Sequence, residues 1–243
     1  MKSKDYHKSE NTRGYERFLS GIHLSDYETL RKVTWLESYN LPREIWPAEM
    51  MYKYYWEEQN FLTFDAFYDE YLNNYSEEIE HFRRQTGQMN KKDFLRGLKA
   101  RVYRTWCGML TQIHYAYVAG DVVGRQNVLM DTQLDSHKID LQINWKGIPI
   151  NVQIKQFSRR FLHKKTPDNI HTVVYEVPSR KTLLHQKNLN GNYKKDFLIF
   201  RKNRMLRHLR NGFVVFKPFA VLSLLDKTEK EYMKAKDEYE NLV

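Results

Sequence analysis

The sequence predicts an α/β protein, with a mixed central sheet flanked by helices and a largely helical N-terminal half. Three observations carry this. Over residues 14–120 apolar side chains recur at three- and four-residue spacing, the stripe of helices packed on a core. From residue 121 the period changes, and strict alternation appears on both sides of Lys146-Gly147. A highly charged helical pattern then returns over 226–240. The chain thus divides into three regions: a loose polar N-terminus (1–13), a helical region (14–120) belonging to the same domain, and a sheet with a basic segment (121–243).

In the helical region, residues 15–36 read as one or two short helices, and Pro42 and Pro47 punctuate a loop. The aromatics at 52, 54, 55 and 56 read as a core or interface cluster in preference to a platform for stacking bases. Thr63 can cap a helix over 64–86 that stops near Gly87. Asn90 can cap a second over 91–118, with apolar positions at 95, 98, 102, 106, 109, 110, 113 and 117. Cys107, the single cysteine, falls in that apolar pattern, which reads as core and not as a nucleophile. Beyond 121, residues 127–134 read as a strand, 138–155 as a hairpin, and 157–165 as a short helix or basic loop. Residues 171–177 and 213–216 read as further strands, separated by a basic, partly helical stretch over 181–210.

The hairpin carries the most information. Apolar residues stand at 139, 141, 143 and 145, and again at 148, 150, 152 and 154. A turn centred on Lys146-Gly147 pairs 143 with 150 and 141 with 152, placing both apolar sets on one face. A slip of one residue would mix the faces, so the pattern selects this register. Asp140 is then expected across from Gln153, with Lys155 one diagonal step away. The polar face (Asp140, Gln142, Asn144, Asn151, Gln153, Lys155) is rich in amides and poor in long charged chains. Half-exposed sheets carry polar faces as a rule, so the row gains meaning from the charge of the neighbouring segment.

That segment is basic. The chain of 243 residues carries 40 Lys and Arg against 30 Asp and Glu, a formal +10. Residues 151–220 hold sixteen Lys and Arg and only Asp168, Glu176 and Asp196 as acids, a local +13. A polyanion is the natural partner. One cysteine excludes a disulfide framework and a thiolate zinc site. No apolar run is long enough to span a membrane, and the first residues lack the apolar stretch of a secretion signal, so no membrane and a cytoplasmic location are expected.

An acid facing a Gln-x-Lys pair beside a basic segment suits phosphodiester hydrolysis. That reaction needs an activated water, stabilisation of charge on phosphorus, and neutralisation of the leaving 3′ oxygen; a bound Mg²⁺ can supply all three. Asp140 is the first ligand, Gln153 offers a neutral oxygen, and the Ile154 carbonyl offers another. Lys155 would hold the water and stabilise the developing charge. Asp135 reads either as a second carboxylate or as a turn residue. His137 reads as a strand-edge histidine or as a contact to metal or leaving group. The 91–118 helix contains no glutamate, which leaves Gln112 as its nearest polar residue.

Asp140, Gln153 and Lys155 resemble the PD-(D/E)xK nuclease superfamily, with Gln153 at the place of the second acid. The stretch from Leu134 to Asp140, with its two aspartates, is similar to the TaqI family of Type II restriction endonucleases. So are Leu41-Pro42-Arg43-Glu44, Tyr54-Tyr55-Trp56, Phe64-Asp65-Ala66-Phe67 and the run from Leu98 to Trp106. The similarity covers about residues 14–145. It implies a mixed sheet of the PD-(D/E)xK type and a Mg²⁺-dependent endonuclease, with Mn²⁺ as an alternative ion, cutting double-stranded DNA at the palindrome TCGA. It also implies Asp135 and Asp140 as the acidic pair and Lys155 as the catalytic lysine. A palindromic site implies a homodimer on DNA, and an active enzyme implies a companion DNA methyltransferase in a restriction-modification pair. Arg159, Arg160, Lys164 and Lys165 come directly after the catalytic strand and are expected on DNA. Arg201, Asn203, Arg204 and Arg207 are expected as phosphate contacts before base readers. Two other readings stay open: a non-catalytic DNA-binding or regulatory protein with a degenerate nuclease fold, which Gln153 favours, and an RNA-directed nuclease.

Overall fold

A computed structural model of the chain describes residues 8–87, 89–156, 169–175 and 203–240, the last six without their side chains. The chain divides into two units: Arg17–Ile113, and the residues up to Glu16 together with those from His114 onward. Two helices, α1 (Glu10–Gly21) and α6 (Lys91–Val123), contribute to both.

The Arg17–Ile113 unit is helical. It contains α2 (Glu28–Arg31), α3 (Ala48–Met51), which runs into a π-helical turn at Tyr52–Glu57, α4 (Phe64–Asn74) and α5 (Ser76–Gln85). Thr63 caps α4, accepting from the Ala66 N–H at 3.4 Å, as its residue type predicts. The single helix expected over 64–86 is broken at Tyr75, whose backbone leaves the helical region. Asn73 and Asn74 precede the break; asparagine side chains compete for backbone hydrogen bonds and weaken a helix interior. The aromatic cluster is core: Tyr52, Tyr55 and Trp56 are buried with Phe64, Phe67, Tyr71, Tyr103 and Trp106. Polar tips in this core find partners. Trp106 Nε1 donates to Tyr55 Oη at 2.7 Å, Tyr55 Oη to the Leu62 carbonyl at 2.6 Å, and Tyr71 Oη to the Ile45 carbonyl at 2.6 Å. Arg101 and Arg104 satisfy loop carbonyls, including Leu36 at 2.8 Å and Val33 at 2.7 Å.

The second unit holds the sheet. Strands β1 (Val128–Leu129), β2 (Leu141–Trp145), β3 (Ile148–Gln156) and β4 (Ile170–Tyr175) are arranged in that order. β1–β2 and β2–β3 are antiparallel and β3–β4 is parallel, which makes the sheet mixed as expected. Strands β5 (Leu206–His208) and β6 (Val214–Phe216) pair separately.

The strand expected over 127–134 shrinks to β1, and residues Thr132–Ser136 form a short helix, α7. The cause is Asp131, whose carboxylate accepts from the Leu134 N–H at 2.7 Å and starts a helix where the alternation alone suggested extension. The C-terminal helix, α8 (Pro218–Glu240), begins eight residues before the expected 226. Proline at the first helical position forfeits no hydrogen bond, and Ala220, Val221, Leu224 and Leu225 are buried there. The expected segment 157–165, most of 181–210, and residues 176–177 lie outside the described residues. Among the described residues no helix is long and apolar enough to cross a membrane.

Candidate active site

The β2–β3 hairpin has the register that its alternation dictates. Leu141 pairs with Val152, Ile143 with Ile150 and Trp145 with Ile148. Lys146 and Gly147 both take positive φ, +53 and +81, the two-residue turn whose twist matches flanking strands. Leu141, Ile143, Ile150, Val152 and Ile154 are buried, while Gln142 Nε2 donates across the polar face to Asn151 Oδ1 at 2.8 Å.

At the head of β2 the ladder departs from the expected simple opposition of Asp140 and Gln153. The Asp140 N–H donates to the Val152 carbonyl at 2.9 Å, and its carboxylate accepts from the Ile154 N–H at 2.5 Å. Asp140 therefore bonds the residues on either side of Gln153. Gln153 turns its Nε2 to the Lys138 carbonyl at 2.8 Å. Both side chains are nearly out of solvent, with Asp140 3% and Gln153 8% exposed.

Asp135 lies in the last turn of α7, not in a plain turn. α7 closes on itself: the Ile139 N–H reaches the Leu134 carbonyl at 3.1 Å and the Lys138 N–H the Asp135 carbonyl at 2.9 Å, with Lys138 at φ +64. This closure returns the chain to β2 so that the two aspartates feel one another. Burial pushes the Asp140 carboxyl up to about 7; the Ile154 N–H and the Lys155 ammonium pull it down in part, and the Asp135 charge adds to the rise. Burial pushes Asp135 up to about 6, again opposed by Lys155. A buried acid, a half-buried acid and one lysine thus share one electrostatic neighbourhood, an arrangement typical of sites built for function.

The remaining candidates take up structural contacts. His137 caps α7, with Nδ1 2.9 Å from the Gln133 carbonyl and 3.1 Å from Ser136 Oγ. Asn203 accepts from the Met205 and Leu206 N–H groups at 2.8 and 3.0 Å, a turn-forming role. The Arg204 guanidinium stacks 4.2 Å from the Phe219 ring centre, and Arg207 pairs with Glu16. Each of these three basic-segment residues has a partner within the protein. Arg159, Arg160, Lys164, Lys165 and Arg201 lie outside the described residues.

One constellation was not foreseen from the sequence. Glu16 accepts from Lys8 Nζ at 2.6 Å, from Arg207 Nη2 and from His114 Nε2 at 3.2 Å. The Phe216 N–H donates to His114 Nδ1 at 3.1 Å. The only signal in the sequence is an acid next to Tyr15 on the apolar face of α1; two of its three partners, His114 and Arg207, are 98 and 191 positions away.

The donor set fits a hard cation. Asp135 and Asp140 provide two carboxylates whose affinity for protons is raised by burial, and the backbone carbonyl of Ile154, the residue whose N–H anchors Asp140, is a further oxygen for such an ion. Among the described residues no group of three or more His, Cys, Asp or Glu could hold a metal. Mg²⁺ suits such a set because it keeps several of its own waters and needs only one or two protein carboxylates.

Comparison with known proteins extends the resemblance well past residue 145. The sequence model of the TaqI restriction endonuclease family matches residues 12–227. The Type II restriction enzyme TaqI of Thermus aquaticus is 27% identical over 230 residues, covering 86% of this chain and 85% of that protein. The Type II restriction enzyme TthHB8I of Thermus thermophilus is 28% identical over 225 residues, with 86% and 85% covered. No solved structure gives a significant match. With the family match running through both aspartates, the hairpin and the lysine, this chain belongs to the TaqI restriction endonuclease family.

Proposed function

We propose that the protein is a Mg²⁺-dependent Type II restriction endonuclease that hydrolyses double-stranded DNA at a short palindrome, TCGA, with a sheet of the PD-(D/E)xK type. The observation that carries this is the convergence of Asp135, Asp140 and Lys155 at the joined ends of α7, β2 and β3, with both acids raised by burial and both influenced by the lysine. Family membership supports the same reading.

Asp135, Asp140 and the Ile154 carbonyl would hold the ion, and Mn²⁺ satisfies the same oxygen set. When bound, the ion supplies Lewis-acid stabilisation at phosphorus and neutralises the leaving 3′ oxygen. The chain's own groups do the rest. Asp140 is held rigidly because the Ile154 N–H anchors its carboxylate. Lys155, two residues beyond Gln153 on the same strand face, holds the attacking water and stabilises the charge that grows on the non-bridging oxygens. The basic segment neutralises the DNA backbone, so binding weakens as salt rises. A twofold site calls for a homodimer, one active site per strand, and a companion methyltransferase protects host DNA at the same sequence.

The test is cleavage of plasmid DNA with Mg²⁺ by the wild type, Asp140→Ala and Lys155→Ala proteins. Discrete fragments from the wild type alone, with ends mapping to TCGA, are expected. Tight binding without cleavage in any divalent ion would refute the catalytic reading in favour of a binding protein. Degradation of RNA but not duplex DNA would refute the substrate.

A further inference from the structure

The residue at the place of the second acid is an amide, and the structure gives a reason. Lys138 ends α7 in the left-handed region, φ +64, at the closing position where glycine is usual and a side chain is disfavoured. Three consecutive residues of β3 hold the chain that leaves it. The Gln153 amide donates to the Lys138 carbonyl at 2.8 Å, the Val152 carbonyl accepts from the Asp140 N–H at 2.9 Å, and the Ile154 N–H donates to the Asp140 carboxylate at 2.5 Å. A backbone carbonyl only accepts, so the group facing it must donate. A glutamine amide does so, whereas an ionised carboxylate at this largely buried side chain would set acceptor against acceptor.

We propose that Gln153 is a positioning residue: its amide clamps the left-handed Lys138 and thereby fixes Asp135 and Asp140 relative to one another. This inference rests on the catalytic reading given above. On it, glutamine is not a weakened form of the nuclease acid. The position has a donor's task, and restoring the acid harms the site. The acid count of the site is then made up by Asp135, which the clamped turn delivers.

Four proteins test this: Gln153→Met, which keeps length and removes the donor; Gln153→Glu, which restores the superfamily acid; Lys138→Gly; and Gln153→Met combined with Lys138→Gly. The first readout is hydrogen exchange of the Ile139 and Asp140 amides in protein without metal or DNA. The second is cleavage of duplex DNA with Mg²⁺, with kcat and KM separated. Loss of this part-buried hydrogen bond predicts about tenfold faster exchange in Gln153→Met and Gln153→Glu. In both, kcat falls about tenfold or more while KM stays within about twofold, since the clamp is a contact within the chain. Adding Lys138→Gly to Gln153→Met restores exchange protection and kcat by roughly threefold or more, because glycine keeps the left-handed turn without help. Gln153→Glu cleaving at or above the wild-type rate overturns the proposal, as does unchanged exchange in Gln153→Met. Absence of rescue by Lys138→Gly overturns it too, since lost direct contact with ion or substrate is not repaired by easing the turn. A wild-type protein that cleaves nothing overturns the catalytic reading instead, and the exchange rates then decide the clamp by themselves.

Discussion

Replacing Glu16 by glutamine removes a buried charge that ties α1 to α6 and β5 within one unit of the protein. The Phe216 N–H donates to His114 Nδ1, so that nitrogen carries no proton. The ring is therefore neutral, and its Nε2–H donates to Glu16. Burial favours the same neutral state, lowering the His114 pKa, while Glu16 opposes it. Burial alone would raise the Glu16 carboxyl, but hydrogen bonds from His114 and Lys8 outweigh it and bring it from 4.5 to about 2. At 1.36 kcal/mol per pH unit that drop is worth about 3 kcal/mol. Because His114 contributes a hydrogen bond and no charge, the expected cost of Glu16→Gln at pH 7 is about 2 kcal/mol. The sign in pH comes from the depressed carboxyl. Its stabilisation is complete above the unfolded value of 4.5 and is lost as pH falls towards 2. His114 acts in the same direction at higher pH, since an unfolded ring takes up its proton near 6.5 and the buried ring does so only lower. Urea unfolding of both proteins at pH 7, 5.5, 4 and 3 measures this. Asp135 and Asp140, raised by burial, take up protons in both proteins as pH falls and cancel in the comparison, so the signal is the gap to Glu16→Gln, which should narrow only below pH 4.5. A variant within about 0.5 kcal/mol of wild type at pH 7, or a gap as wide at pH 3 as at pH 7, would refute the reasoning.

Three further outcomes are expected. Asp140→Asn keeps an oxygen for the Ile154 N–H, so its melting temperature should not fall below wild type, while DNA cleavage drops by about 10²–10⁴-fold; parallel melts and plasmid digests decide this. Asp131→Ala removes the cap of α7, costs about 1 kcal/mol in chemical denaturation, and lowers kcat because Asp135 rides on that helix. Trp106→Phe leaves a void and takes away the donor to Tyr55 Oη in the core, a loss of about 2–4 kcal/mol measurable by urea unfolding, with no change in the cleavage site chosen.

The hairpin was readable from sequence to the level of individual pairs, because period-2 burial admits one register and a one-residue slip would expose Ile143 and Ile150. The helix over Lys91–Val123 was readable because its apolar stripe is long and regular. The break at Tyr75 and the replacement of a strand by α7 were not legible. Asp131 starts α7 by a local side-chain hydrogen bond, and at Asn73 and Asn74 two weak helix formers precede the break, each against a hydrophobic pattern too short to dominate.

The same division runs through the site. Sequence alone determined which residues carry the chemistry to be tested: an acidic pair five positions apart, a lysine on the facing strand, and a neighbouring segment of charge +13. Residue type and strand periodicity are local properties, and they survive without knowledge of the fold. Only the tertiary structure decided what those groups experience. Burial and mutual charge raise Asp135 and Asp140, a left-handed turn at Lys138 sets their spacing, and the Gln153 amide faces a carbonyl. Desolvation and hydrogen-bond partners depend on what the rest of the chain brings alongside, which spacing along the sequence does not encode.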